Sequence, residues 1–292
     1  MKPAPFRYVA ARALDEALQL KAAHGEEARF LAGGQSLVPT MNFRLSQPAL
    51  LIDINPLTEL AGMRKCGLDR VRIGALTRYR ELERDPAVAP ILPLVDEALP
   101  HIAHPQIRNR TTIGGNLAHA DPASEMPAII LALGGRLRAQ SVKGERWIAA
   151  ADFFTGALST ALEPDEMLVE VELPTAPSRS GACFMEMARR HGDFALVGVA
   201  CMLRLDEDGR CGEARIGLCN AGDTPMFAAQ ASQSLVGGKL GAAEIGTAAA
   251  LVQRDIDPPG NIHASKEFQR HLAGVLTARA LAAANERARR AH

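Results

Sequence analysis

Two Gly-Gly segments constrain this chain most: Leu31-Ala-Gly-Gly-Gln-Ser36 and, further on, Thr111-Thr-Ile-Gly-Gly-Asn116. Each sets a glycine pair beside a short polar side chain. Glycine lacks a Cβ, so its backbone reaches φ > 0 and lets a ligand come close to the main chain. Successive N–H groups exposed in this way form a concave nest for an anion such as a phosphate. One glycine pair is compatible with an ordinary turn. Two, each followed by a helix start, predict two walls of one pyrophosphate cradle.

The better-known phosphate motifs do not account for them. Neither segment reads GxGxxG with an acidic residue at the dinucleotide spacing, and no Gly-Lys-Ser/Thr occurs anywhere. Gly34-Gln-Ser-Leu-Val38 begins like a nucleophile elbow but lacks the closing glycine. Ser36 therefore reads as a phosphate hydroxyl donor or helix cap, not a nucleophile. Thirty-three Lys and Arg balance 33 Asp and Glu, giving no electrostatic reason to expect nucleic acid or an anionic membrane as partner. Aromatic residues, at 4%, are too few for a base-stacking surface. No apolar run approaches the roughly 18 residues of a membrane span. Met1 to Arg12 lacks the apolar core of a secretory signal, so the expected compartment is the cytoplasm. The five cysteines show no CxxC, which points to reduced, buried thiols and away from clusters or zinc.

Periodicity and turn residues predict α/β units up to about residue 173. Residues 13–24 read as a helix stopped by Gly25, 27–32 as a strand, and Ser36 as the cap of a helix to about Arg44. Strands follow at 50–54 and 70–75, then a helix capped by Thr77 and another over 90–103. Asp121 or Ser124 caps a helix to Leu133; 136–142 is a strand, 152–162 a helix and 167–173 a strand. Pro174 to Gly181 is a linker dense in turn formers. Three consecutive strands (182–189, 195–205 and 213–219) and two helices (about 241–255 and 265–288) follow, a small α+β domain. In the last helix Ser265 is the cap and Phe268, Leu272, Val275 and Leu276 form an apolar stripe.

Three polar clusters carry open alternatives. His101, His104 and His119 could bind a metal, but ordinary loop and surface histidines explain them better. Asp121 could accept a ribose or ribityl hydroxyl, or simply cap a helix. Arg189-Arg-His-Gly-Asp-Phe194 is either a solvated hairpin end or a turn folded over a flat cofactor, with Phe194 as the aromatic face.

AGGQSLVP at 32–39, TTIGGNLAHADPASEMP at 111–127 and RRHGDFALVGVA at 189–200 resemble the FAD-binding medium subunits of molybdenum hydroxylases, the xanthine dehydrogenase and carbon monoxide dehydrogenase flavoprotein family. The resemblance extends from Phe6 to the last helix. It implies an α+β fold: a vanillyl-alcohol-oxidase-type (PCMH) FAD-binding domain over 1–176, with α/β subdomains of about 1–56 and 57–176. A C-terminal flavoprotein domain over 177–292, a three-stranded antiparallel sheet with helices, would complete it. It further implies FAD held by Ala32, Gly33, Gly34, Gln35, Ser36 and Leu37 on one wall and by Thr111, Gly114, Gly115 and Asn116 on the other. Asp121 would hold an FAD hydroxyl, and Leu168, Asp193 and Phe194 would border the isoalloxazine. No side chain is assigned acid–base catalysis.

Gln35 stands where covalent flavoproteins of the wider superfamily carry a flavin-linking histidine, which predicts a dissociable FAD. The iron–sulfur and molybdenum motifs are absent from the chain. Molybdopterin and [2Fe–2S] clusters are thus expected in a large and a small partner subunit, in a heterotrimer or its dimer. The expected role is electron transfer from those clusters through FAD to an external acceptor. A stand-alone FAD-dependent oxidase or reductase is the alternative, and it would need a catalytic acid or base near the ring.

Overall fold

The structure, a computed structural model, describes residues 1–291. The first glycine segment grows out of a small parallel sheet. Its elements are β1 (Arg7–Ala10), α1 (Leu14–His24), β2 (Ala28–Leu31), α2 (Leu37–Asn42) and β3 (Leu50–Asp53), with strand order β1-β3-β2. The apolar run Leu50 to Ile52 is buried because β3 is the central strand, paired on both edges. Helix α1 carries Asp15 and Glu16 in its first turn and Lys21 and His24 in its last, signs that suit its dipole, and Gly25 closes it at φ 50°. β1 is unexpected from sequence: its four residues are mostly exposed, and only Val9 packs against the core.

A five-stranded antiparallel sheet, order β4-β5-β10-β6-β7, follows. Its elements are β4 (Met63–Lys65), β5 (Arg70–Gly74), α3 (Tyr79–Arg84), α4 (Val88–Ile91), α5 (Pro93–Ala98), α6 (Pro105–Arg108), α7 (Ile113–His119), α8 (Glu125–Leu133), β6 (Arg136–Ser141), β7 (Gly144–Ala149), α9 (Ala150–Phe153), β8 (Phe154–Gly156), β9 (Ser159–Thr160) and β10 (Met167–Pro174). One face, with Val71, Ile73, Leu137, Val171 and Leu173, packs into the core beneath the helices. The opposite face is a charge layer. Glu172, fully buried, accepts from Arg72 and Arg136 at 2.8 Å each, and Trp147 lies under both guanidinium groups. Alternation along β5, β6 and β10 produces this division, since neighbouring residues on a strand face opposite sides.

Several local expectations fail for identifiable reasons. The predicted helix over 90–103 is interrupted because Pro93, lacking an N–H, starts a new helix and Pro100 forces a 3-10 turn. The predicted helix over 152–162 ends at Phe153, and the β8–β9 hairpin turns through Gly156 and Leu158, the latter at φ 55°. Thr77 does not cap α3, because its hydroxyl is engaged with Gly62 at 2.9 and 3.2 Å; Arg78 takes the N-cap position. Ser36 precedes α2 but makes no capping bond through its side chain, and the helix ends at Asn42.

The remaining chain forms β11 (Ser180–Ala188), β12 (Ala195–Leu205), β13 (Cys211–Cys219), β14 (Met226–Phe227), α10 (Ala229–Leu235), α11 (Ala242–Asp255) and α12 (Lys266–Arg290). The three long strands stand as expected, and β14 adds a two-residue edge strand. Ser265 caps α12, its Oγ accepting from Phe268 N–H at 3.2 Å. Leu272 and Leu276 are buried, whereas Phe268 lies outside the stripe, 46% exposed. The second core runs without a break into Ala182, Phe184 and Ala200 of this sheet. At that junction a Cβ on Gly217 would lie 2.2 Å from the Ala128 carbonyl oxygen of α8. Gly217→Val is therefore expected to push the sheet off α8 and destabilise the protein by about 1–3 kcal/mol, read as a lower melting temperature. Among the described residues no helix is long and apolar enough to cross a membrane.

Candidate functional site

The two glycine segments meet. A Cβ on Gly33 would stand 2.4 Å from the Arg110 carbonyl oxygen and 3.0 Å from Thr111 Cα. A Cβ on Gly115 would stand 3.7 Å from the Ala32 Cβ. Glycine at 33 lets the two backbones share one seam, whereas a Cβ at 115 would meet the Thr112 hydroxyl of its own segment at 2.7 Å. Gly34, at φ 72°, then turns the chain into α2. Gln35 folds back on its own segment, its Nε2 donating to Gly33 O at 3.2 Å.

The two walls are chemically unequal. In the first, the backbone N–H groups of Gly33, Gly34, Gln35 and Ser36 donate to no protein acceptor among the described residues, which makes an anion nest. In the second, the glycine pair forms the first turn of α7. Its N–H groups are largely spent inside the fold: Ile113 on Thr77 O, Gly114 on Ala75 O and Gly115 on Thr112 Oγ1. Gly114 is buried, and a Cβ there would lie 2.4 Å from the Ala75 Cβ, so this glycine seats α7 on the end of β5. Asn116 is likewise engaged, accepting from Tyr79 Oη at 2.8 Å and donating to Ser124 Oγ at 2.9 Å. Asp121 accepts from Ala123 N–H at 2.9 Å and holds the turn before α8.

Residues that sequence reasoning overlooked fasten the walls together. Asn55 Nδ2 donates to Ala32 O at 2.9 Å and to Asp53 Oδ1 at 2.5 Å. The Arg78 guanidinium donates to Asn55 Oδ1 and to Arg110 O, bridging the first wall to the second. Burial, and after it the nearby Arg110 charge, lower the Arg78 pKa. Burial would raise the Asp53 carboxyl, but hydrogen bonds from Tyr8 and Asn55 outweigh it and hold the group below its usual value. The Arg110 charge thus lies close enough to act on both Arg78 and Asp53. No short-range pattern marks Asn55 or Arg78, because their partners are distant in sequence.

A third part comes from the C-terminal sheet. Asn220 N–H donates to Pro122 O at 2.7 Å, and its Nδ2 donates to Ala195 O at 2.8 Å and Leu196 O at 3.1 Å. Asn220 therefore ties the Asp121 turn to the residues directly after Asp193 and Phe194. Phe194 is 65% exposed, and a Cβ on Gly192 would lie 2.7 Å from His104 Nδ1, so the 189–194 turn packs tightly on the chain before α6. Leu168 sits at a bulge in β10 with its side chain buried in the second core. The structure thus brings the residues around 32–37, 111–116, 121 and 193–194 into one connected region. His104 serves the packing there, and His101 belongs to a separate buried cluster.

With that geometry in view, comparison with known proteins is informative. Residues 4–176 match the FAD binding domain in molybdopterin dehydrogenase, and residues 182–284 match the CO dehydrogenase flavoprotein C-terminal domain. The chain is 43% identical to the 6-hydroxypseudooxynicotine dehydrogenase complex subunit alpha of Paenarthrobacter nicotinovorans, covering 99% of this chain and 97% of that one. It is 41% identical to the caffeine dehydrogenase subunit beta of Pseudomonas sp. (strain CBB1), covering 98% and 97%. Reconstituted CO dehydrogenase from Oligotropha carboxidovorans contains a chain that superposes with a TM-score of 0.95 at 37% identity, over 98% of this chain and 100% of that one.

Proposed function

The chain belongs to the FAD-binding medium-subunit family of the molybdenum hydroxylases, and from that premise we propose that it collects electrons from the [2Fe–2S] clusters of a partner subunit and passes them through FAD to an external acceptor. The observation that carries the site is the run of unspent N–H groups from Gly33 to Ser36, closed on one side by Arg110 and Thr111. These donors, with Arg78 linking the two walls, suit the two charges of a pyrophosphate. The residues present fit the cofactor, because four successive backbone donors at Gly33 to Ser36 are unspent and a Cβ at Gly33 would force the two walls apart.

In this assignment Ala32 to Leu37 form the gripping wall. Thr111, Gly114, Gly115 and Asn116 form a supporting wall, and Asp121 offers a carboxylate to a hydroxyl of the bound molecule. Asp193 and Phe194 cover the ring from the C-terminal domain, with Leu168 behind. We take 1–176 as the FAD-binding domain and 177–292 as the C-terminal one. When bound, FAD accepts and releases electrons one or two at a time, and the chain's own part is binding, orientation and electrostatic tuning. Gln35 makes no covalent link to a flavin, so the FAD is dissociable. The complex pairs this chain with a large molybdenum-cofactor subunit and a small [2Fe–2S] subunit, as a heterotrimer or its dimer in the cytoplasm.

Expressed alone, the full chain is expected to purify yellow, or to become so on incubation with FAD. A folded chain that stays colourless contradicts the assignment. Arg78→Ala removes both charge-assisted bridges between the walls and is expected to weaken FAD binding about tenfold, read by flavin fluorescence quenching.

A further inference from the structure

Beside the cofactor site lies a cluster of ionisable groups for which the function above has no use. Glu125, the first residue of α8, is only 5% exposed, and among the described residues no other residue donates a hydrogen bond to its carboxyl. Glu186 faces it from β11; its side chain is 4% exposed, and its Oε2 is buried without a partner. His101, on the 3-10 turn after α5, places Nδ1 3.4 Å from Glu186 Oε1. Two buried carboxylates and one half-buried imidazole thus stand together.

Its position matters as much as its composition. Glu125 follows Ser124, which is hydrogen-bonded to Asn116 of the second glycine segment. On the other side, His101 stands 5.9 Å, ring centre to ring centre, from the exposed His191, two residues before Asp193. The cluster therefore spans from solvent to the inner side of the cofactor region. The other ionisable groups facing it are Tyr79 from α3, Glu97 from α5, Asp121 from the preceding turn and Cys219 from β13. Burial, and then the Glu186 charge, push the Glu125 carboxyl up to about 8. The contact with Glu186 raises His101 above its ordinary value.

We propose that Glu125, Glu186 and His101 form a shared proton-holding site whose occupancy is linked to the redox state of the flavin, an inference that rests on the cofactor assignment above. Two electrons arriving from the partner's clusters, with one proton bonded at the flavin, leave one negative charge on the ring. In the alkaline range where Glu125 has lost its proton in the oxidised state, a second proton, drawn from water by way of His191 and His101, is taken up at Glu125 beside Glu186 and offsets that charge. The sum is two electrons and two protons. Glu125 is a positioning residue for that proton and does not itself touch the substrate of the complex.

The sign follows from the titration. Below about pH 8 Glu125 already holds its proton in the oxidised state, so reduction draws none. Above that pH Glu125 has lost it in the oxidised state and regains it on reduction, so the cluster adds proton dependence only on the alkaline side. One proton per two electrons moves a midpoint potential by about 30 mV for each tenfold change in proton activity. The test is spectroscopic titration of the flavin midpoint potential against pH in the purified, FAD-loaded chain. The slope above about pH 8 is expected to steepen by up to about 30 mV per pH unit and to lose that increment in Glu125→Gln. His101→Gln removes the neighbouring cation and is expected to move the onset to higher pH, so it carries the test should Glu125→Gln not fold. Equal slopes in yellow wild-type and variant protein, with no shifted onset in His101→Gln, overturn the linkage while leaving the cofactor assignment intact. A wild-type chain that takes up no FAD overturns the assignment itself, and the linkage with it.

Discussion

Gly33→Val is expected to give a folded protein whose affinity for FAD has fallen by at least about 100-fold, the free-energy equivalent of roughly 2.7 kcal/mol. A Cβ there would sit 2.4 Å from a backbone oxygen, and neither Arg110 O nor Thr111 Cα can rotate aside as a side chain would. The seam between the walls must open, and the N–H groups of Gly34, Gln35 and Ser36 turn away from the position they share. The cost to the fold itself is about 1–3 kcal/mol, since the first sheet and its core of Leu50, Ile52 and Leu57 do not depend on the seam. Gly246→Ala is the control. It lies exposed in α11 with nothing within 4 Å of the added Cβ, so FAD affinity should not change and stability should rise by about 0.5–1 kcal/mol. Flavin fluorescence titrations of the three proteins check the affinities, and their melting temperatures check the stabilities.

Glu172→Ala carries the second large effect, on stability. The carboxylate is fully buried while Arg70, Arg72 and Arg136, its partners, remain 40, 27 and 42% exposed. Removing it leaves three guanidinium groups without their shared carboxylate, two of them, Arg72 and Arg136, over Trp147. Breaking a buried pair costs about 3–5 kcal/mol; with the arginines partly in water, about 2–3 kcal/mol is expected here, a drop in melting temperature on the order of 5–10 °C. The pH dependence has a definite sign. Burial alone would raise the Glu172 carboxyl, but hydrogen bonds from Arg136 and Arg72 outweigh it and hold the group below its ordinary 4.5. A depressed carboxyl stabilises the fold fully above that ordinary value, and the contribution disappears as pH falls through the lower folded one. The gap in melting temperature between wild type and Glu172→Ala should therefore be constant from neutral pH down to about 5 and narrow below about 4. A gap that widens in acid would contradict it.

The parts of the fold that sequence could read are those decided locally. Gly25 ends α1, Ser265 caps α12 and the Asp206 to Gly209 turn joins β12 to β13, because each signal and its effect lie within a few residues. The glycine segments were legible for the same reason, as places where a Cβ is absent. Their inequality was not. That the second segment spends its N–H groups on Thr77, Ala75 and Thr112 depends on β5 and α3 being packed beside it, which no window of sequence contains. Asn55, Arg78 and Asn220 were invisible on the same grounds, since each acts on backbone 23 or more residues away. The helix expected over 90–103 is broken at Pro93, whose ring and missing N–H act before packing does, and the one expected over 152–162 gives way to the hairpin that turns through Gly156 and Leu158.

The central claim is that the first glycine segment grips a pyrophosphate, and it is tested most directly by comparing the affinities of the purified chain for FAD and for riboflavin under one set of conditions. Riboflavin has the ring but not the pyrophosphate. A grip of the kind formed by Gly33 to Ser36 predicts FAD bound at least about 100-fold more tightly, with the preference collapsing in Gly33→Val. Equal affinity of the wild-type chain for the two flavins, or a preference that Gly33→Val leaves untouched, would contradict it.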